Sequence, residues 1–195
     1  MISEVTTNPT GAEVSKDRDA QFVRRLLQQR RDENATARSA LRRGDTAALA
    51  DRAVPYLDAW HFKDYEIPQA LLFAAAICRY ADIPDDPDSS LGWAAFHTLS
   101  PADRRDAAST SVGRRVVAAQ RQALPLAHRT FTGLLTSIGA QPRLGLDWTG
   151  LWSMYRTWDH PEPDYRRKTR RRLLLDFYGT SPTSDIGDAS DATPD

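Results

Sequence analysis

The sequence predicts an all-α fold, a bundle of about eight or nine short helices in two packed lobes. Three observations carry that expectation. Apolar residues recur with helical period along nearly the whole chain. Ser, Asp and Asn stand just ahead of the periodic stretches, where helix N-caps belong, and Gly or Pro stands just beyond them. No segment shows a convincing strand or hairpin pattern, and there is no long internal repeat.

The elements follow in order. Residues 1–17 are polar and aperiodic and read as an arm. Asp17 or Asp19 caps a first helix carrying Phe22, Leu26 and Leu27 on one side. Asn34 caps ATARSALRR, which stops at Gly44, a residue suited to the C′ position. Asp45 caps TAALADRA before Pro55. IPQALLFAAAICRYA is apolar nearly all round, as a helix buried on most sides must be. The loop DIPDDPDSS divides an N-terminal lobe, residues 18–83, from a C-terminal lobe, residues 89–179.

Ser89 or Ser90 then caps LGWAAFHTL, and Ser100 with Pro101 opens a short helix. The clearest helix places Leu124, Ala127, His128, Phe131, Leu134, Leu135 and Ile138 on one stripe. Asp147 caps the next, whose apolar face is Trp148, Leu151, Trp152, Tyr155 and Trp158. After HPEPD the last helix turns Tyr165, Leu173 and Phe177 inward. Residues 180–195 form a low-complexity acidic tail, expected to be disordered.

With 195 residues, 41% hydrophobic and 27% charged, the chain reads as soluble and globular. No apolar run approaches a membrane span, and the N-terminus has neither a signal core nor a transit pattern. Cys78 is the only cysteine, so no internal disulfide is possible. The expected compartment is cytoplasmic. Phosphate-loop, dinucleotide, HExxH and nucleophile-elbow motifs are all missing. His61, His97, His128 and His160 have no partners at metal-ligand spacing, and His128 lies on an apolar stripe. Asp82, Asp85, Asp86 and Asp88 lack a calcium-loop pattern. The expectation is a protein without catalytic residues, metal or cofactor.

The informative chemistry is arginine. The formal net charge is zero, with 26 bases against 26 acids. That balance hides segregation: residues 18–43 carry eight Arg against three acids, and residues 44–100 carry three bases against nine acids. Residues 101–172 carry fourteen bases against six acids, and the chain beyond has five acids and no base. Only Lys16, Lys63 and Lys168 are lysines. GC-rich codon usage inflates Arg but does not cluster it. Arg38 with Arg42, and Arg114 with Arg121, lie on single helix faces, as do Arg24, Gln28 and Arg31. In the run RRKTRRR, Arg167, Lys168, Arg171 and Arg172 point outward, flanked by Arg166 and Arg170. Like charges one turn apart cost a few tenths of a kcal/mol per pair. Either an anionic partner or the acidic middle of the same chain must offset that cost. Several separated stripes suit a polyanion such as nucleic acid better than a small ligand.

The order of FVRRLLQQR, ARSALRRG, PYL, SLGWAAFHTL, SVGRRVVAAQRQALPLAHRTFTGLLTSIG, LDWTGLWSMYRTW and RRLLLDFYG resembles the CasB family. CasB is the small subunit of the type I-E CRISPR Cascade surveillance complex. The resemblance covers about residues 19–179. It implies an all-helical, non-enzymatic subunit that stabilises the R-loop between guide RNA and target DNA. The implied partners are the backbone and large subunits of Cascade, a second copy of the chain, the guide RNA, and the target and non-target DNA strands. The implied nucleic-acid residues are Arg42, Arg43, Arg114, Arg115, Arg121 and Arg129. Two departures stand out: Trp93 occupies a position that is often basic in the family, and the run from Arg166 to Arg172 is richer in charge than the family's ending. Arg167, Lys168, Arg171 and Arg172 are therefore nucleic-acid candidates on charge alone. The rival reading is a protein–protein adaptor whose arginines dock acidic surfaces of neighbouring subunits.

Overall fold

The structure is a computed structural model that describes residues 11–30 and 35–179, with side chains described from Asp17 onward except at Asp58. The N-terminal ten residues, Asn34 and its proposed cap, Arg31 and the acidic tail lie outside the described residues. Ten α-helices are described, slightly more than expected: α1 (Gly11–Gln29), α2 (Ala35–Arg42), α3 (Ala47–Ala53), α4 (Ile67–Arg79) and α5 (Leu91–His97) are followed by α6 (Pro101–Arg104), α7 (Ser111–Ala119), α8 (Leu124–Gly139), α9 (Trp148–Thr157) and α10 (Pro163–Tyr178). Among the described residues there is no strand, only an isolated bridge between Asp85 and Leu146. None of the described helices is long and apolar enough to cross a membrane.

The helices bury the stripes that their sequence marks out. The buried residues of α8 are Leu124, Ala127, His128, Phe131, Leu134, Leu135 and Ile138, the seven of the periodic stripe. α9 buries Trp148, Leu151, Trp152 and Tyr155, and Trp158 follows at its end, also buried. α4 buries eight consecutive or near-consecutive residues from Ala70 to Cys78. Phe22 of α1 lies 4.9 Å and Phe73 of α4 lies 5.2 Å, ring to ring, from Trp152 of α9. One aromatic cluster thus joins the chain on both sides of the 82–90 loop. Each such side chain contributes about 1.5–3 kcal/mol by leaving water.

Caps form where short side chains reach an open N–H. Ser90, Ser100 and Asp147 accept from Trp93, Asp103 and Gly150. Ser89 instead donates its hydroxyl, while buried, to the Gly145 carbonyl at 2.9 Å.

Three expectations are corrected. α1 starts at Gly11, upstream of Asp17 and Asp19, so neither caps it. Thr46, not Asp45, precedes α3, because the Asp45 carboxylate is drawn to Arg79 at 2.7 Å. Gly44 stands just beyond α2, as expected, though without a left-handed φ. Glycine is required there by closeness: a Cβ would come within 2.9 Å of the Ala53 Cβ. Tyr165 is 55% exposed rather than inward, since it sits at the edge of the face that Leu173 and Phe177 bury.

Candidate nucleic-acid interface

The structure separates arginines that hold the fold from arginines that face solvent. Arg30 is buried, donates to the Ile83 carbonyl at 2.9 Å and lies over the Trp148 ring. Arg18 and Arg156 converge on Glu66 at 3.1 and 3.2 Å, and both also pair with Asp19. Burial raises the Glu66 pKa, but the Lys63 N–H and the two guanidinium groups outweigh it and hold the carboxyl below its usual range. These contacts tie α1, α4 and α9 together.

The run in α10 divides the same way. Arg170 donates to the Trp158 carbonyl at 3.2 Å and the Gln120 carbonyl at 2.8 Å, and pairs with Asp159 at 2.8 Å. Gln120 returns a bond to the Arg170 carbonyl at 2.8 Å. Arg166 donates to the His160 carbonyl at 3.0 Å. Both flanking arginines are therefore structural. Arg167 pairs with Asp164, its neighbour one turn away, and Arg172 approaches Asp176 at 3.8 Å. Both remain exposed, as do Lys168 and Arg171.

All ten candidate residues, Arg42, Arg43, Arg114, Arg115, Arg121, Arg129, Arg167, Lys168, Arg171 and Arg172, are exposed. Except for Arg167 and Arg172, their side chains make no ion pair or hydrogen bond among the described residues. The fold links the helices that carry them in steps. Arg38, Arg42 and Arg43 line a hollow of about 640 Å³ on α2 with Arg79 at the end of α4. Arg79 donates to the Arg42 carbonyl at 3.0 Å and pairs with Asp45, whose carboxylate lies 3.4 Å from His128 of α8. Arg129 is the next residue along α8. One turn on, Gly133 receives Arg115 of α7, whose guanidinium lies 3.8 Å from the place a Cβ would take. α7 packs on α10, and the reciprocal Gln120–Arg170 bonds set Arg121 and Arg171 each one residue from the junction. The helices that carry these cations are thus linked in series: α2 to α8 through Arg79 and Asp45, α8 to α7, and α7 to α10.

Arg79 is the cation that sequence reading missed. It ends an apolar helix, and its position as the first charge after LLFAAAIC marks where that helix must reach the surface. His128 is the core residue beneath this stretch. It meets the Tyr155 hydroxyl at 2.8 Å, and burial holds its pKa below the usual imidazole range against the pull of Asp45. Trp93 is half-buried and stacks on His97 with ring centroids 3.8 Å apart.

Fold and surface define a class: an all-α bundle whose chemistry is carried by exposed arginines on several helices. The sequence model of the CRISPR-associated protein Cse2 family matches residues 37–178. The chain belongs to the Cse2 family, also called CasB. Among solved structures it is similar to a CRISPR-associated protein of the Cse2 family from Thermus thermophilus. That match has 19% identity and a TM-score of 0.63, and covers 83% of this chain and 97% of the other. A second structure, described as CasB from Thermus thermophilus, is similar at 19% identity with a TM-score of 0.60 and the same coverages of 83% and 97%. CasB of M. ruber matches at 18% identity with a TM-score of 0.59, covering 84% of this chain and 93% of that one. No curated protein matches the sequence. At these identities the structures speak for the fold.

Proposed function

We propose that this Cse2-family Cascade subunit binds nucleic acid without sequence preference and stabilises the R-loop formed by guide RNA and target DNA. The single observation that supports this reading is the set of exposed cations on α2, α7, α8 and α10, all but Arg167 and Arg172 without an ion pair or hydrogen bond among the described residues. A phosphate backbone presents charge at regular intervals, and such a series of guanidinium forks meets it at several points. Base pairing by the guide supplies the sequence information, so the subunit itself needs only backbone contacts. The partners are the other Cascade subunits, a second copy of the chain, the guide RNA and the DNA strands. The subunit works by binding, with no catalytic step of its own and no cofactor.

The test is the salt dependence of single-stranded DNA binding by the intact protein. Reversing Arg114, Arg115 and Arg121 to Glu should weaken binding to all sequences alike. It should flatten the log-affinity against log-salt slope by roughly 0.7 for each phosphate no longer neutralised. The set Arg167, Lys168, Arg171 and Arg172 is reversed in parallel. An unchanged slope for both sets, with loss of assembly into a larger complex, would establish the adaptor reading instead.

A further inference from the structure

A groove of about 450 Å³ runs between α9 and α10. Ser153, Met154 and Thr157 recur at helical spacing along its α9 wall, and Tyr165, Lys168, Arg172 and Asp176 along its α10 wall. Leu151 and Leu173, both buried, lie at the bottom. The groove adjoins a second hollow lined by Pro87, Trp93 and Leu175, and Asp147, Arg172 and Asp176 border both. Two large apolar side chains stand exposed along this path, Tyr165 at 55% and Leu175 at 56%. Exposed apolar residues joined by a groove and rimmed by charge mark an interaction site rather than a solvated face. Lys168 makes no ion pair or hydrogen bond among the described residues, and Arg172 only approaches Asp176 at 3.8 Å.

We propose that this groove is a docking site for an amphipathic helix of a partner protein, one whose face presents in order an apolar residue, an acid, a base and a second apolar residue. The inference stands apart from the nucleic-acid reading. Charge disfavours a polyanion here: Lys168 and Arg172 are balanced by Asp147 and Asp176, and Asp88 lies in the adjoining hollow. A protein segment gains from both signs, because it can set an acid against the cations and a base against the carboxylates. The walls favour a helix. α9 and α10 satisfy their backbone groups along their own length, so an extended segment would meet no sheet edge and would bury unpaired N–H and C=O groups. A helix brings its own hydrogen bonds. Spacing sets the register. Tyr165 and Leu175 lie about 15 Å apart along α10 at about 1.5 Å per residue. A partner helix spans that distance in about ten or eleven residues, three turns, so both of its apolar anchors share one face. Lys168 and Arg172 fall between the anchors, and Asp176 falls beside the second. Arg167 and Arg171 belong to neither lining and stay with the nucleic-acid face.

The probe is a synthetic alanine-rich helix of about four turns. It carries leucine at its second and thirteenth positions, glutamate at the fifth and arginine at the twelfth. Its control exchanges the glutamate and the arginine. Added to the intact protein, the probe should shift the amides of Ser153, Lys168, Arg172 and Leu175. The control should bind roughly ten-fold more weakly, since two favourable ion pairs become two like-charge contacts. Ser153→Trp, which fills the groove and keeps every charge, should abolish binding while the circular dichroism stays that of the parent. Lys168→Glu combined with Arg172→Glu should erase the difference between probe and control. Equal affinity of the two peptides for the parent, no shift with either, or shifts confined to another surface would overturn the proposal. Displacement of the probe by oligothymidylate would make the groove part of the nucleic-acid surface and also overturn it. Concentration-dependent shifts of the same amides in the protein alone would make the occupant a second copy of the chain, with the same consequence.

Discussion

Arg170 reaches inward to the Trp158 and Gln120 carbonyls, while Arg171, the next residue, stays exposed without a partner among the described residues. Replacing Arg170 with Ala leaves two carbonyls and one oxygen of Asp159 without this donor. The expected cost is about 2–3 kcal/mol, read as a shifted denaturant midpoint. Arg171→Ala should leave that midpoint within about 0.5 kcal/mol. Trp148, Trp152 and Trp158 are fully buried, and each Trp→Ala change should cost about 3–5 kcal/mol. A stable variant that loses DNA binding would make the residue a stacking surface.

His128 gives the residue-scale pH dependence. Its folded pKa lies below the ordinary 6.5, so below that pH the unfolded chain binds the proton more readily than the native one. Stability should therefore fall as the pH drops from about 6.5 toward the depressed native value and gain nothing from further alkalinity. That component of a urea-denaturation pH profile should disappear in His128→Gln. The separate loss on protonating Glu66 lies lower, below its ordinary 4.5.

At the scale of elements, α5 and α10 approach closely at Gly92. A Cβ on Gly92 would sit 2.6 Å from the Leu173 carbonyl oxygen and 2.8 Å from the Phe177 nitrogen. Neither is the end of a flexible side chain, so Gly92→Ala must separate the two backbones. Overpacking of this kind costs about 1–3 kcal/mol, or roughly 2–12 °C in Tm for a chain of this length. Calorimetry checks it. Such contacts also show what a sequence can and cannot tell. The α8 stripe was legible because seven apolar positions share one period, and burial follows period directly. The role of Gly44 was not, because its neighbour Ala53 comes from a separate helix. Asp45 looked like a cap because the local pattern permits it. Arg79, 34 residues away, claims its carboxylate instead. Arg166 and Arg170 read as flanks of a charged run, and only the packing of α10 on α7 and α9 supplies the carbonyls that enlist them.

For the whole molecule, a formal charge of zero conceals two kinds of cation. Arginines such as Arg18, Arg79, Arg156 and Arg170 are neutralised inside the fold, and the exposed set on α2, α7, α8 and α10 is not. Sequence segregation indicated that such a set exists, yet it could not show that its helices are linked through Arg79, Asp45 and the Gln120–Arg170 pair. Reversing Arg42 and Arg43 together with Arg114, Arg115 and Arg121 should flatten the salt slope by the sum of the two separate effects. Additive behaviour is the expectation for phosphate contacts spaced along one strand. A combined variant no different from either parent would show that the two groups never engage the same strand.

Cys78, buried on α4 with burial pushing its thiol pKa up to about 11, has a practical consequence for kinetics. A thiol that is both enclosed and protonated reacts with a disulfide reagent only when its surroundings part. The helix that carries it runs through the middle of the aromatic cluster, so its exposure reports the parting of that cluster. In the native protein the rate of labelling at Cys78 becomes a clock for transient opening, with no other sulfhydryl to confuse the count. Bound DNA should slow that clock if it steadies the bundle, and leave it unchanged if it touches the surface alone.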